Sequence, residues 1–254
     1  MDINQLILQQ KNNMNNERKD VNVIEKENDL QKFLWKLSLE EWYSLIWTSL
    51  KWKTILIICA WSWYDADFRH KKWAKVTATD LSEMACRKIK ERNPNIDVQV
   101  ENAEQLSYSN NSFDYVIVRA WLHHLPRPIL GIYEMLRVAK VWILFMEAQD
   151  SRVMRLLRKS WLVCQIEPSW NFVYSFTRRE IQKLCGSMFL PRPKIKTYFY
   201  QYIPFLNNKI YTKLSGKLPL IIYKFILSVV NIFIWRRWNN FICYIPKHTK
   251  NNLL

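Results

Sequence analysis

Three short stretches hold the residues best suited to chemistry. "CAWSWYDADF" (59–68) follows the apolar run "TILII" and leads into a helical pattern, and the backbone N–H groups of such a strand-to-helix turn can hold the anionic end of a ligand. Asp80 ends the next apolar run, 17 residues after Trp63. An acidic side chain there can accept hydrogen bonds from the hydroxyls of a ribose whose other end lies at the first turn, and it serves equally well as a helix cap. His123 and His124 follow a third run; imidazoles titrate near neutrality and can hold or pass a proton, or they simply shape the loop. The five cysteines (59, 86, 164, 185, 243) have no metal-ligand spacing, which points to reduced thiols in a cytoplasmic protein and to no metal.

These residues need a scaffold, and the hydrophobic rhythm supplies one. "TILIICA" (54–60), "AKVTATD" (74–80), "IDVQVENA" (96–103), "FDYVIVRA" (113–120) and "VWILFMEA" (141–148) read as strands, the continuous apolar ones being typical of strands buried on both faces. Helical patterns alternate with them: one through Phe68 and His70, one over "LSEMACRKIKERNP" with Ser82 as cap and Pro94 beyond its end, one over "RPILGIYEMLRV". Later, 177–188 reads as a helix, with 194–203 and 239–247 as strands. The spacing predicts an α/β fold: a doubly wound, mostly parallel, Rossmann-like seven-stranded sheet with helices on both faces and ligands at the carboxyl ends of its strands.

Three regions follow from composition. Residues 1–26 form a polar stretch, expected to be a mobile arm, and 27–150 hold two amphipathic helices and the cofactor-binding core. Residues 151–254 complete the sheet and shape the acceptor site. The charge is uneven: 1–150 balance 20 Lys+Arg against 20 Asp+Glu, while 151–254 carry 18 against only Glu167 and Glu180. Such a field favours anionic partners, a phospholipid surface or RNA. "LPLIIYKFILSVVNIFIW" (218–235) has the length of a membrane span but contains Lys224 and Asn231, so either a soluble core helix or a helix lying on the membrane surface through 213–237 is expected rather than a crossing.

Four segments occur in the order of one family's motifs: "ILIICAWSW", "VTATDLSEMA", "VENAEQLSYSNNSFDYVIVRAWLHHL" and "YEMLRVAKVWILFMEA". From about residue 50 to 148 the chain resembles the class I S-adenosylmethionine-dependent methyltransferases, particularly the small-molecule type related to quinone-biosynthesis enzymes. The resemblance implies S-adenosylmethionine as cofactor. It places the methionine end against Cys59, Ala60, Trp61 and Trp63, the ribose at Asp80, the adenine beside Leu81 and against Asn102 and Ala103, and the sulfonium near Arg119. His123 and His124 become candidate general bases, needed if the acceptor arrives protonated. The acceptor is expected to be small and hydrophobic or lipid-linked, which suits the apolar runs "SWNFVYSF" and "TYFYQYIPF" better than RNA does. Two other readings remain: an inactive Rossmann-like protein that binds a membrane or RNA through its basic C-terminal part, and an NAD-dependent oxidoreductase, since glycines at 61 and 63 with Ala66 would complete G-x-G-x-x-A.

The family pattern also marks an anomaly. Thirteen tryptophans stand beside three glycines, the reverse of ordinary usage. Trp61, Trp63, Trp73, Trp121 and Trp142, with Trp52 and Trp238, occupy places where glycine would be natural, Trp142 in the turn before strand five. UGA encodes tryptophan in some bacteria and glycine in others, so the reading is that many of these residues are glycines in the natural protein. Trp42 and Trp47 lie on an apolar helical face and suit genuine tryptophans. Cys59 stands for the family's first glycine, Ile57 for an acidic residue within strand one, Asn102 for a common Asp and Val141 for a common Pro.

Overall fold

The computed structural model describes residues 2–17, 49–60, 74–160, 172–198 and 240–247, with isolated positions at 39, 42, 45, 46, 165, 166, 221, 222 and 225. The elements are α1 (Ile3–Glu17), β1 (Thr54–Ile57), β2 (Lys75–Asp80), α2 (Glu83–Arg92), β3 (Asp97–Val100), β4 (Phe113–Arg119), a 3₁₀ turn (Leu122–His124), α3 (Pro128–Val138), β5 (Ala139–Ala148), α4 (Arg152–Lys159), α5 (Arg178–Ser187), β6 (Lys194–Tyr198) and β7 (Asn240–Pro246).

The strands form one seven-stranded sheet in the order β3-β2-β1-β4-β5-β7-β6. Its first five strands run parallel, and β7 pairs antiparallel with both β5 and β6. Alternation along the strands builds two cores. Leu56, Val116, Ile143, Phe145 and Phe241 pack with Ile132 and Met135 of α3 and Ile181 of α5. Ile55, Ile57, Val76, Tyr115, Ile117, Leu144 and Ile242 face the other way, toward Ile89 of α2 and Trp42. The residues at i and i+2 therefore lie on opposite helical layers from those at i+1, the pattern of a doubly wound sheet.

Local signals set the helix ends. Ser82 accepts from Ala85 N at the start of α2, and Thr177 and Glu180 form a reciprocal capping box at the start of α5. Glu134 and Arg137, three residues apart in α3, form an ion pair at 2.7 Å.

Two expectations change. Residues 3–17, expected within a mobile arm, form a helix, because Ile3, Leu6, Ile7, Gln10 and Lys11 recur at helical spacing and are half-buried against the rest of the chain. Trp142 lies not in a turn but inside β5, which starts directly after α3 at Ala139. The β4–β5 register pairs it with Tyr115, on which its ring stacks at 4.0 Å, and its indole N–H meets no acceptor among the described residues. Trp61, Trp63, Trp73, Trp238, the helix through Phe68 and His70, and most of 27–50 and 213–237 lie outside the described residues.

Candidate active site

The carboxyl ends of β1 to β4 meet at one cleft. β1 leaves the sheet with Ile58 N donating to Ile117 O (3.0 Å) and Ala60 N to Thr79 O (2.8 Å). Between them Cys59 adopts a left-handed φ of 50°, a conformation that favours glycine. Asp80, at the end of β2, is 3% exposed. Its Oδ1 accepts from Ser82 N at 2.8 Å, so the capping role and a place on the cleft coincide in one side chain. After β3, Asn102 Oδ1 accepts from Glu104 N at 2.9 Å, turning the chain so that Asn102 and Ala103 also face the cleft.

Cys59, Asp80, Leu81, Asn102, Ala103 and His124 line this cleft together with Glu101, Trp121, Leu125 and Pro126, and α1 adds Ile7 and Gln10. The walls approach closely, leaving interior room for about one water molecule between the described residues. Three polar contacts hold α1 in place. Gln10 Nε2 donates to the carbonyl of His124, Lys11 Nζ pairs with Glu83 Oε1 at 2.9 Å, and Ser82 Oγ donates to Asn15 Oδ1 at 2.6 Å. The Lys11 hydrogen bond holds the Glu83 carboxyl below its ordinary range.

The two histidines separate. His124 faces the cleft and stacks on Trp121 at 4.3 Å. His123 is turned inward, its Nδ1 2.7 Å from Glu147 Oε2. The other oxygen of Glu147 accepts from Trp121 N (2.9 Å) and Leu122 N (2.7 Å). A fully buried carboxylate thus fastens three consecutive residues of the turn. Glu147 was missed by sequence reasoning, although it is the one charged residue in the apolar run "VWILFMEA", and a charge buried there requires partners. Ala60, 2% exposed, and Arg119, 6% exposed, are buried at the strand ends outside the cleft lining.

A carboxylate, a carboxamide and a short apolar wall at the carboxyl edge of a parallel sheet complement an adenosine: hydroxyls to Asp80, a purine to Leu81, Asn102 and Ala103. The residues present therefore fit a nucleoside cofactor. Residues 59–141 match the sequence family described as "Methyltransferase domain". Over these residues the chain carries a methyltransferase domain.

Solved structures resemble this methyltransferase in fold. The YcgJ protein of Bacillus subtilis aligns with a TM-score of 0.61 at 14% identity, over 84% of this chain and 99% of that one. Magnesium protoporphyrin IX methyltransferase of Synechocystis, solved with bound S-adenosylhomocysteine, aligns at 0.56 and 12%, over 88% and 89%. A SAM-dependent methyltransferase of Methanosarcina mazei aligns at 0.53 and 18%, over 78% and 93%. A search of curated proteins by sequence gives no match.

Proposed function

We propose that this methyltransferase acts on a small hydrophobic or lipid-linked acceptor of the kind handled in quinone biosynthesis. The reading rests on the cleft that gathers Asp80, Leu81, Asn102, Ala103 and Cys59 beside His124. When bound, S-adenosylmethionine supplies an electrophilic methyl group on a sulfonium. Asp80 would hold the ribose hydroxyls, Leu81 and Ala103 the faces of the adenine and Asn102 its edge, while the turn from Cys59 through Trp63 would receive the methionine end. Methyl transfer is an in-line displacement, so placing the acceptor supplies much of the acceleration. His124 would take the proton of a protonated acceptor, steadied by the turn that Glu147 and His123 fix. The basic and aromatic C-terminal region would shape the acceptor site.

We further propose that Trp52, Trp61 and Trp63 are glycines in the natural protein. Trp52 is the support outside the cofactor loop. Lys53 N donates to Leu50 O at 3.1 Å, closing a turn in which Trp52 is the third residue, at φ 63° and 76% exposed. A turn with positive φ at that position calls for glycine. Two indoles at 61 and 63 would obstruct the cofactor, so activity depends on this point.

No helix among the described residues is long and apolar enough to cross a membrane; we place the protein in the cytoplasm, in peripheral contact with a membrane. The test is calorimetric binding of S-adenosylhomocysteine to protein with glycine at 52, 61 and 63, followed by transfer of labelled methyl to lipid and RNA extracts. Saturable binding and label in the lipid fraction are expected. Label in RNA alone would overturn the acceptor class, and saturable NAD binding without S-adenosylhomocysteine binding would overturn the cofactor.

A further inference from the structure

The segment after β5 pairs exposed apolar groups with positive charge. Asp150 N donates to Phe176 O and Phe176 N to Ala148 O, both at 2.9 Å, so α4 and the stretch before Phe176 spring from the sheet edge that carries the cleft. Along α4, Arg152, Arg155, Arg158 and Lys159 occupy one side of the helix, while Val153, Met154 and Leu156 occupy the other. Leu156 borders the basic side and is 67% exposed. Nearby in the chain, Ile166 and Phe172 face each other across a bridge closed by Val173 N to Gln165 O at 2.8 Å, and they are 58% and 60% exposed. Arg158 joins the two parts, donating to Ser175 Oγ at 2.7 Å.

Large apolar side chains held out to solvent beside cations lose free energy in water and regain it where acyl chains and anionic headgroups meet. Against the four cations of α4 the neighbouring chain sets two acids: Glu167, which directly follows Ile166, and Asp150, with which Arg155 and Arg158 both pair, at 2.9 and 2.8 Å. Beyond it, residues 151–254 contain only Glu167 and Glu180 as acids. Glu180 is engaged in the α5 capping box.

We infer that α4 and the bridged residues Ile166 and Phe172 form a docking surface for an anionic phospholipid membrane, with Leu156, Ile166 and Phe172 entering the interface and Arg152, Arg155 and Lys159 meeting the headgroups. The surface lies on the cleft edge of the sheet, so docking would bring the cleft to the membrane. The inference gains its purpose from the lipid-linked acceptor proposed above, but it is measured without cofactor or acceptor, so either can fail alone.

The experiment is co-sedimentation of the full chain with phosphatidylglycerol-rich vesicles and with pure phosphatidylcholine vesicles, at low and high salt, alongside Leu156→Asp and Phe172→Asp variants. Circular dichroism confirms that each variant is folded; both positions are exposed. Preferential binding to the anionic vesicles is expected, weakened by salt and reduced roughly tenfold by either substitution. Equal binding to both vesicle types, absence of binding, or variants that sediment like the parent would overturn it. So would variants that lose RNA binding while still sedimenting with anionic vesicles like the parent, since the surface would then be a nucleic-acid face.

Discussion

Glu147 and His123 share a hydrogen bond of 2.7 Å in a site closed to solvent, and the same carboxylate anchors the backbone of Trp121 and Leu122. One side chain of β5 therefore decides where the turn after β4 stands, and with it the position of His124 on the cleft. Replacing Glu147 with Ala leaves two buried amides and an imidazole without their acceptor. A loss of about 3 kcal/mol is expected in denaturant unfolding. Glu147→Gln, which keeps one acceptor oxygen, should lose less stability and still bind S-adenosylhomocysteine more weakly than the parent.

Thiol chemistry should distinguish the cleft from the core. Cys59 is partly exposed on the cleft, whereas burial pushes the Cys185 thiol up to about 11 and holds that of Cys243 well above its ordinary value. Because the thiolate is the reactive form, maleimide at neutral pH should label Cys59 first and leave Cys185 and Cys243 untouched until unfolding. S-adenosylhomocysteine should slow labelling of Cys59, as read by peptide mass.

The Glu134–Arg137 pair should give stability a pH dependence of known sign. Two hydrogen bonds from Arg137, with a further one from Leu106 N, hold the Glu134 carboxyl below its ordinary 4.5. Its contribution is complete above that unfolded value and disappears as pH falls through the lower folded one. Glu134→Gln should thus cost about 1 kcal/mol at neutral pH, allowing for partial exposure. The gap to the parent should close on the acid side of 4.5.

Trp52→Gly should stabilise the protein by about 1 kcal/mol, since it relieves a left-handed residue in a turn. Trp142→Gly should instead destabilise the chain as written, because it empties the space between Tyr115 and Tyr244. Peptide masses of the protein from its own cells identify the residue at each tryptophan position separately. Tryptophan at 52, 61 and 63 would refute the glycine proposal.

Removing residues 2–17 should speed the release of S-adenosylhomocysteine, measured by stopped-flow, because α1 contributes Ile7 and Gln10 to the cleft wall. Lys11→Glu should do so more mildly, its pair with Glu83 being partly exposed.

The sheet was legible because parallel strands buried on both faces leave continuous apolar runs, as in "TILII" and "VWILFMEA". The caps at Ser82 and Thr177 punctuated the helices. The placing of Asp80 and Asn102 at one edge of the sheet was legible too, since both lie at the carboxyl ends of neighbouring parallel strands. What escaped depended on contacts distant in sequence. The stripe of α1 is interrupted by Gln and Asn, and its partners are Ser82, Glu83 and the His124 carbonyl. Glu147 gains its role only from the β4–β5 register, which sets Arg119 beside Met146 and thus residue 147 beside the turn. Trp142 was assigned to a turn because the family places glycine there; the chain instead passes from α3 straight into β5.

The antiparallel β7 has a consequence for synthesis. It is inserted between β5 and β6, so among the described strands β7, made after β6, is the bridge between the parallel sheet and β6. The five parallel strands can pair on the ribosome once residue 148 has emerged. Among the described strands, Lys194–Tyr198 pairs with Asn240–Pro246, which follows after a delay on the order of seconds at ordinary translation rates. During that interval the edge of β5 is open, and whatever shields it governs how much of the newly made chain escapes aggregation.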